Sequence, residues 1–105
     1  PVRSFPVQVG ETIRSLAPDG RPVVFTRNLG WPSLVFAATA DGRPVRTLSP
    51  DAPVPALVPP YVLVMDERDR PRFEATCAER DVVRLSGWNF DRFRERTIEI
   101  VAVDR

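Results

Sequence analysis

Two segments of the chain are apolar almost without interruption, and each predicts a buried strand. Residues 22–26 read PVVFT, and residues 61–65 read YVLVM. Continuous β-branched runs of this kind are typical of strands that are covered on both faces, as in a parallel sheet. We therefore expect these two strands to lie side by side and to run in the same direction.

Three further segments predict strands that complete the sheet. Residues 45–48 (VRTL) and 82–85 (VVRL) are short β-branched runs. Residues 97–103 (TIEIVAV) alternate between apolar and less apolar positions, which favours a strand at a sheet edge with one face less buried. Residues 86–96 are too few for a parallel crossover, so the last two strands should pair as an antiparallel edge hairpin.

Apolar residues recur with helical spacing between these strands. Residues 10–17 predict a short helix, and residues 31–40 predict a second one with a proline near its start and a glycine after its end. Residues 70–80 predict a third helix. Two strand–helix–strand units follow from this order, so the expected fold class is α/β, a small Rossmann-like three-layer domain with a mostly parallel sheet.

The distribution of proline suggests the domain organisation. Residues 1–8 contain two prolines and predict a linker or lead-in, which leaves residues 9–105 as a single small α/β domain. Residues 49–60 contain five prolines and predict a stiff connection rather than a helix. Twelve prolines with many short β-branched runs would also suit a β-sandwich, but the helical spacing over residues 31–40 and 71–80 favours α/β.

The composition excludes several kinds of chemistry. The chain has no histidine, so a histidine general base and a histidine metal ligand are both excluded within it. Cys77 is the single cysteine, which excludes an internal disulfide and a cysteine-rich zinc site, and its helical position predicts a small core residue. We therefore assign no catalytic residue, no metal and no cofactor to this domain.

Charge and motif content narrow the possible partners. All fifteen basic residues are arginine, and fourteen aspartate and glutamate residues offset their charge. The resulting net charge of +1 predicts no nucleic-acid partner. Neither G-x-G-x-x-G nor a Walker loop is present, which argues against a nucleotide-handling role. No apolar run reaches roughly 18 residues, so the chain by itself should not span a membrane.

The carboxyl ends of the predicted strands supply the first binding candidates, because ligands of open α/β sheets lie there. Asn28 would help to hold an anion near a helix N-terminus, or would simply cap that helix. Asp66 and Glu67 would form a carboxylate pair, but neighbours on an extended chain point in opposite directions. A solvated mixed-charge turn is the alternative interpretation of this segment.

The two tryptophans and an arginine-rich loop supply the second set of candidates. Trp88 and Asn89 lead into a loop that contains Arg92, and Trp31 opens the second predicted helix. Aromatic rings among arginines suit stacking on sugars or bases, or a protein interface. A hairpin loop that folds its rings over the sheet edge is the alternative. The binding candidates are Asn28, Trp31, Asp66, Trp88, Asn89 and Arg92.

The order of these segments also resembles a known family. PDGRPVVFTRN, WPSLVFAATADGRPVRTL, PPYVLVMDERD and TIEIVAVDR follow one another as in the small soluble domain after the transmembrane region of some bacterial membrane glycosyltransferases of the GT-C class. These enzymes are relatives of the protein O-mannosyltransferases and aminoarabinose transferases. The likeness is one of pattern and order, and it covers residues 9–105.

The resemblance implies a role for the domain and a place for it. Such enzymes use polyprenyl-phosphate sugars, and their catalytic acidic residues lie in loops between transmembrane helices, so none is carried onto this sequence. The domain would be a non-catalytic accessory unit on the extracytoplasmic face of a bacterial membrane. It would be tethered through a membrane region of the parent protein, pack on that region, and help to position an acceptor glycan or partner. The start without methionine suggests a domain excised from such a parent.

Two other functions stay open at this stage. One is a free-standing α/β module that binds a small ligand or a protein. The other is an enzyme that uses carboxylates alone, for which Asp51, Asp66 and Glu67 would be the suspects.

Overall fold

The computed structural model describes residues 4–27, 32–89 and 94–105. It shows a mixed α/β fold built on a five-stranded sheet. In chain order the elements are α1 (Phe5–Leu16), β1 (Val23–Phe25), α2 (Pro32–Ala38), β2 (Val45–Thr47), β3 (Tyr61–Asp66), a 3₁₀ helix (Glu67–Phe73), α3 (Glu74–Cys77), β4 (Val83–Asn89) and β5 (Arg94–Val103).

The strand order is β2-β1-β3-β5-β4. β1 runs parallel to both β2 and β3, with Val23 opposite Val62, so the expected parallel pairing of the two most apolar segments is confirmed. β5 runs antiparallel to both β3 and β4, which confirms the antiparallel hairpin. Pairings are therefore half parallel and half antiparallel, although β1, β2, β3 and β4 all run in one direction.

The place of the last strand differs from the prediction. β5 lies inside the sheet between β3 and β4, and β4 is the edge strand. The buried residues Ile98, Ile100 and Val101 explain this, because a strand that is apolar on both faces gains more from an interior position. β5 also separates β3 from β4, so the second predicted βαβ unit does not bring its two strands together.

The first helix begins earlier than its sequence suggests. α1 starts at Phe5 rather than Gly10, so residues 5–8, which we expected in an extended lead-in, are helical. Pro6 is tolerated because N–H groups in the first turn have no partner within a helix. Ser4 caps the turn, as its hydroxyl accepts a bond from the Val7 N–H at 3.4 Å.

The third predicted helix is only partly α-helical. Residues 67–73 form a 3₁₀ helix with Pro71 inside it, and a single α-helical turn, α3, follows. Proline lacks the N–H that a regular α-helix needs at an interior position, which accounts for the tighter first part. Asp66 caps the 3₁₀ helix by accepting the Arg68 N–H at 2.9 Å.

The sheet is covered on both faces. On one face α1 and α2 pack over Val23, Phe25, Val62, Val64, Ile98 and Ile100. On the other face the cover comes from the 3₁₀ helix, α3 and residues 48–57, through Phe73, Cys77, Leu48 and Leu57. Cys77 is buried, as predicted, and burial raises the pKa of its thiol.

Helix α1 makes two close contacts that depend on glycine. A Cβ at Gly10 would lie 2.6 Å from the carbonyl oxygen of Ala37 in α2, so only glycine permits this helix separation. Arg14 donates to the same oxygen at 3.1 Å. Gly87 in β4 meets the ring of Phe5, where a Cβ would lie 2.3 Å from ring carbons.

A tetrapeptide, Asp-Gly-Arg-Pro, precedes each of the first two strands, at residues 19–22 and 41–44. In both copies the aspartate accepts the backbone N–H and the side-chain Nε of the arginine two residues later. Both glycines have positive φ, 75° at Gly20 and 85° at Gly42, which suits a residue without Cβ. The two copies therefore form the same turn.

Candidate functional site

A charged cluster lies where β1 and β3 end. These strands are parallel neighbours, so their carboxyl ends meet at one edge of the sheet, where ligands of α/β folds are commonly held. Thr26 and Arg27 follow β1, Asp66 ends β3, and Asp69 lies in the 3₁₀ helix that begins next. Thr26, Asp66 and Asp69 are buried, so their polar atoms must find partners within the protein.

Asp69 is held by the residues that follow β1. Arg27 donates to both of its oxygens, from Nε at 2.8 Å and from Nη2 at 2.6 Å, and the Thr26 hydroxyl donates at 2.8 Å. Burial opposes ionisation of this carboxyl, but the bonds from Arg27 and Thr26 outweigh it, so the pKa of Asp69 lies below its usual value. The same ion pair raises the pKa of Arg27.

Asp66 is held by the 3₁₀ helix that follows it and by β5. Arg68 donates to it from Nε at 2.9 Å and from Nη2 at 3.1 Å, and Arg96 donates from Nη1 at 3.1 Å. Burial again opposes ionisation, and the hydrogen bonds from Arg68 again prevail, so the pKa of Asp66 is lowered. The Asp66 N–H donates to the Thr26 hydroxyl oxygen at 3.2 Å, which links the two carboxylate sites.

A third buried carboxylate is paired in the same way. Glu99 of β5 accepts a bond from Arg70 Nη1 at 2.6 Å. A general base works best when its pKa lies near the working pH, whereas arginine holds Asp66 and Asp69 ionised far below neutrality. Among the described residues, this edge is therefore built as an ion-pair network that joins β1, β3, β5 and the 3₁₀ helix.

A shallow cleft of about 150 Å³ opens beside this network. Arg68, Arg94 and Arg96 line it together with Asp66, Glu67 and Glu95, so positive and negative groups balance. A second groove, of about 390 Å³, lies between α1 and β4. Among residues 4–27, 32–89 and 94–105, no histidine, cysteine and carboxylate side chains gather to hold a metal ion.

The predicted candidates fall in three groups. Asn28, Trp31 and Arg92 lie outside the described residues. Asn89 is placed by its backbone alone, as the last residue of β4. Asp66 is buried in the network, whereas Trp88 is 47% exposed on β4, on the far side of β5 from Asp66.

Sequence reasoning missed Thr26, Asp69 and Arg96 as members of this cluster. Asp69 stands among five charged residues, which favoured a solvated turn, and its burial depends on Thr26 and Arg27 about forty positions earlier. One local signal was available, since Asp66 and Arg68 have the same spacing as the aspartate and arginine of both Asp-Gly-Arg-Pro turns.

Comparison with known proteins adds no family to this description. The chain matches no protein-family profile, no curated protein and no solved structure. None of the helices in the described part of the chain is long and apolar enough to cross a membrane.

Proposed function

We propose that this chain is a non-catalytic accessory domain of a bacterial membrane glycosyltransferase that uses polyprenyl-phosphate sugars. One observation carries the non-catalytic part of the proposal. At the sheet edge where an α/β protein usually presents reactive groups, Asp66 and Asp69 are buried and bound by arginine. Their oxygens hold the fold together, so they are poorly placed to bind substrate or move a proton.

The arrangement of layers supports a small Rossmann-like origin for the domain. α1 and α2 form one layer, the sheet forms the second, and the 3₁₀ helix with α3 forms a reduced third layer. The unit β1–α2–β2 keeps the parallel strand–helix–strand order of that fold. In this interpretation the β4–β5 hairpin replaces the parallel strands of a larger sheet.

The outer surface of α2 supports a docking role. Phe36 is 77% exposed, and the neighbouring Val35 is exposed as well. Aromatic residues are enriched in protein interfaces and expensive to leave in water. We assign this pair to contact with the transmembrane portion of the parent protein. In this proposal the domain lies on the extracytoplasmic face of the membrane, beside the acceptor or partner that it helps to position.

The coding sequence around this domain provides the first test. The proposal expects several membrane-spanning segments before the domain in the parent protein. A parent without such segments would contradict it.

Substitutions in the parent protein test the role itself. Phe36→Asp should lower glycosyl transfer while the domain still unfolds at the same denaturant concentration. Ala75→Asp is a matched control, because Ala75 is exposed on the opposite face of the sheet and should leave transfer unchanged. Equal transfer in the two variants would refute docking through α2.

A further variant tests the claim that the ion-pair network is not catalytic. Asp69→Asn should lower the stability of the domain but leave glycosyl transfer per folded molecule unchanged. Loss of transfer by a folded Asp69→Asn protein would instead assign a chemical role to this edge.

A further inference from the structure

Strand β4 presents an open edge. In the described part of the chain only β5 pairs with it, so one side of its backbone has no strand beside it. An edge strand exposes N–H and C=O groups that can accept another strand. β4 is seven residues long and pairs with β5 through all seven without a bulge, so it offers a regular template.

The opposite edge of the same sheet is protected. β2 has only three residues, and Pro44 stands directly before it. Short strands and prolines are the usual means by which proteins prevent strand addition. β4 contains no proline, and this contrast singles out its edge as the one that can accept another strand.

We infer that β4 pairs antiparallel with β4 of a second copy of this chain, about a two-fold axis at Ser86. With Ser86 opposite Ser86, all seven residues of each strand find a partner, whereas every other register leaves residues unpaired. The axis stands perpendicular to the sheet, so the helices of both copies lie on the same face of a continuous sheet. This assembly goes beyond the accessory role and does not depend on it.

Side chains on the outer face favour this register. It places Arg84 of each copy opposite Trp88 of the other, where a guanidinium can stack on an indole ring. Both side chains are exposed in the single chain. Arg84 bonds to Glu67 at 3.0 Å, but an exposed ion pair of this kind contributes little, so it does not prevent stacking. A register centred on Arg84 would instead place like charges opposite each other.

The helix face is also complementary. Leu85 of each copy would lie opposite Gly87 of the other, and the ring of Phe5 already covers Gly87. The Leu85 side chain of the second copy would therefore contact the Phe5 ring, because Gly87 itself has no side chain. The groove of about 390 Å³ lined by α1, Val83 and Leu85 lies along this edge, and the second copy would cover it.

Sedimentation of the 105-residue chain over a wide concentration range gives the first test. The mass should rise from 11.8 kDa towards twice that value as the concentration increases. Trp88→Arg should keep the chain monomeric and folded, because it places two arginines opposite each other. The double variant R84E/W88R should restore the dimer, since the opposed charges then attract.

Cross-linking tests the register directly. Ser86→Cys should give a covalent dimer with a short bis-maleimide, because the two introduced thiols would face each other. Cys77 is buried, so the unsubstituted chain serves as the blank, and Arg46→Cys on the β2 edge is the matched control that should not cross-link. A chain that stays monomeric, or a dimer that is insensitive to Trp88→Arg, would overturn the inference. Strand addition by another protein to a monomeric chain would do the same.

Discussion

The turns at residues 19–22 and 41–44 have the same sequence but different surroundings. The Arg43 side chain is 0% exposed, and it donates to the carbonyl oxygens of Ala17 at 2.9 Å and of Arg21 at 3.4 Å. It thus joins the end of α1 to both turns. The Arg21 side chain is 11% exposed and reaches the carbonyl of Val103 and the exposed carboxylate of Asp104.

The comparison separates what a local sequence decides from what the fold decides. In both places the aspartate accepts bonds from the arginine two residues later and the glycine supplies the positive φ, so the tetrapeptide alone specifies the turn. The further partners of the arginine side chain depend on which segment of the protein lies beside each turn. Arg43 meets the last turn of α1, where carbonyl groups lack partners and a cation is favourable, and Arg21 meets the end of β5.

Removing each arginine should give the largest difference. Arg43→Ala leaves the buried Ala17 carbonyl oxygen without its arginine donor and removes the guanidinium from the Asp41 carboxylate, so we expect a loss of about 3 kcal/mol in the free energy of unfolding. Arg21→Ala removes bonds to exposed carboxylates and should cost about 1 kcal/mol. Urea unfolding of both variants measures the difference, and equal losses would mean that burial of Arg43 is unimportant.

Lysine at the same positions should sharpen the contrast. Arg43→Lys keeps the charge but loses the planar fork that bonds Asp41 and Ala17 together, so about 1–2 kcal/mol should be lost. Arg21→Lys should cost about 0.5 kcal/mol or less, because water can replace the lost bonds. The same unfolding measurement applies, and an Arg43→Lys variant as stable as the original chain would show that charge alone matters there.

The glycines should behave alike in the two turns. A Cβ at Gly20 or at Gly42 would meet no atom within 4 Å, so only the left-handed backbone resists alanine. We expect Gly20→Ala and Gly42→Ala each to lower the free energy of unfolding by about 1 kcal/mol. Thermal unfolding of the pair checks this, and a loss confined to one variant would show that the turns differ in backbone as well as in side-chain contacts.

The response of the two turns to acid should be the smallest effect on stability. Hydrogen bonds from Arg43 lower the pKa of Asp41 from 3.8 to about 2, and Arg21 lowers the pKa of Asp19. A depressed pKa contributes stability above 3.8 that is lost as the pH falls towards 2. Asp41→Asn should therefore flatten the decline of stability in this range more than Asp19→Asn does. An identical decline in the two variants would contradict the difference.

The sequence predicted the centre of the fold better than its periphery. Tyr61–Met65 is apolar at every position, which leaves a buried strand as the consistent interpretation, and its pairing with residues 23–25 followed. The start of α1 was missed because Pro6 suggests a break unless the cap at Ser4 is known. β5 was predicted at the edge because the alternation of apolar and less apolar residues over 97–103 does not show which strand of the hairpin, β4 or β5, pairs with β3.

The sequence predicted the position of Asp66 at the end of a strand, but not the residues that surround it. Asp66 follows from the rule that ligands lie at carboxyl ends of strands, and the structure puts it there. The partners of Asp69 come from a distant segment, so no local pattern could indicate its burial. Trp88 was expected to be available for contact, and it is half exposed on the edge strand.

The absence of a side chain at position 10 sets the spacing of the whole helical layer. α1 and α2 meet backbone to backbone there, and both rest on the buried strands below. Even a single methyl group would wedge the helices apart and lift Leu34 and Ala38 off the sheet. A substitution at Gly10 would thus destabilise the protein as a core mutation does, although it alters none of the side chains that form the core.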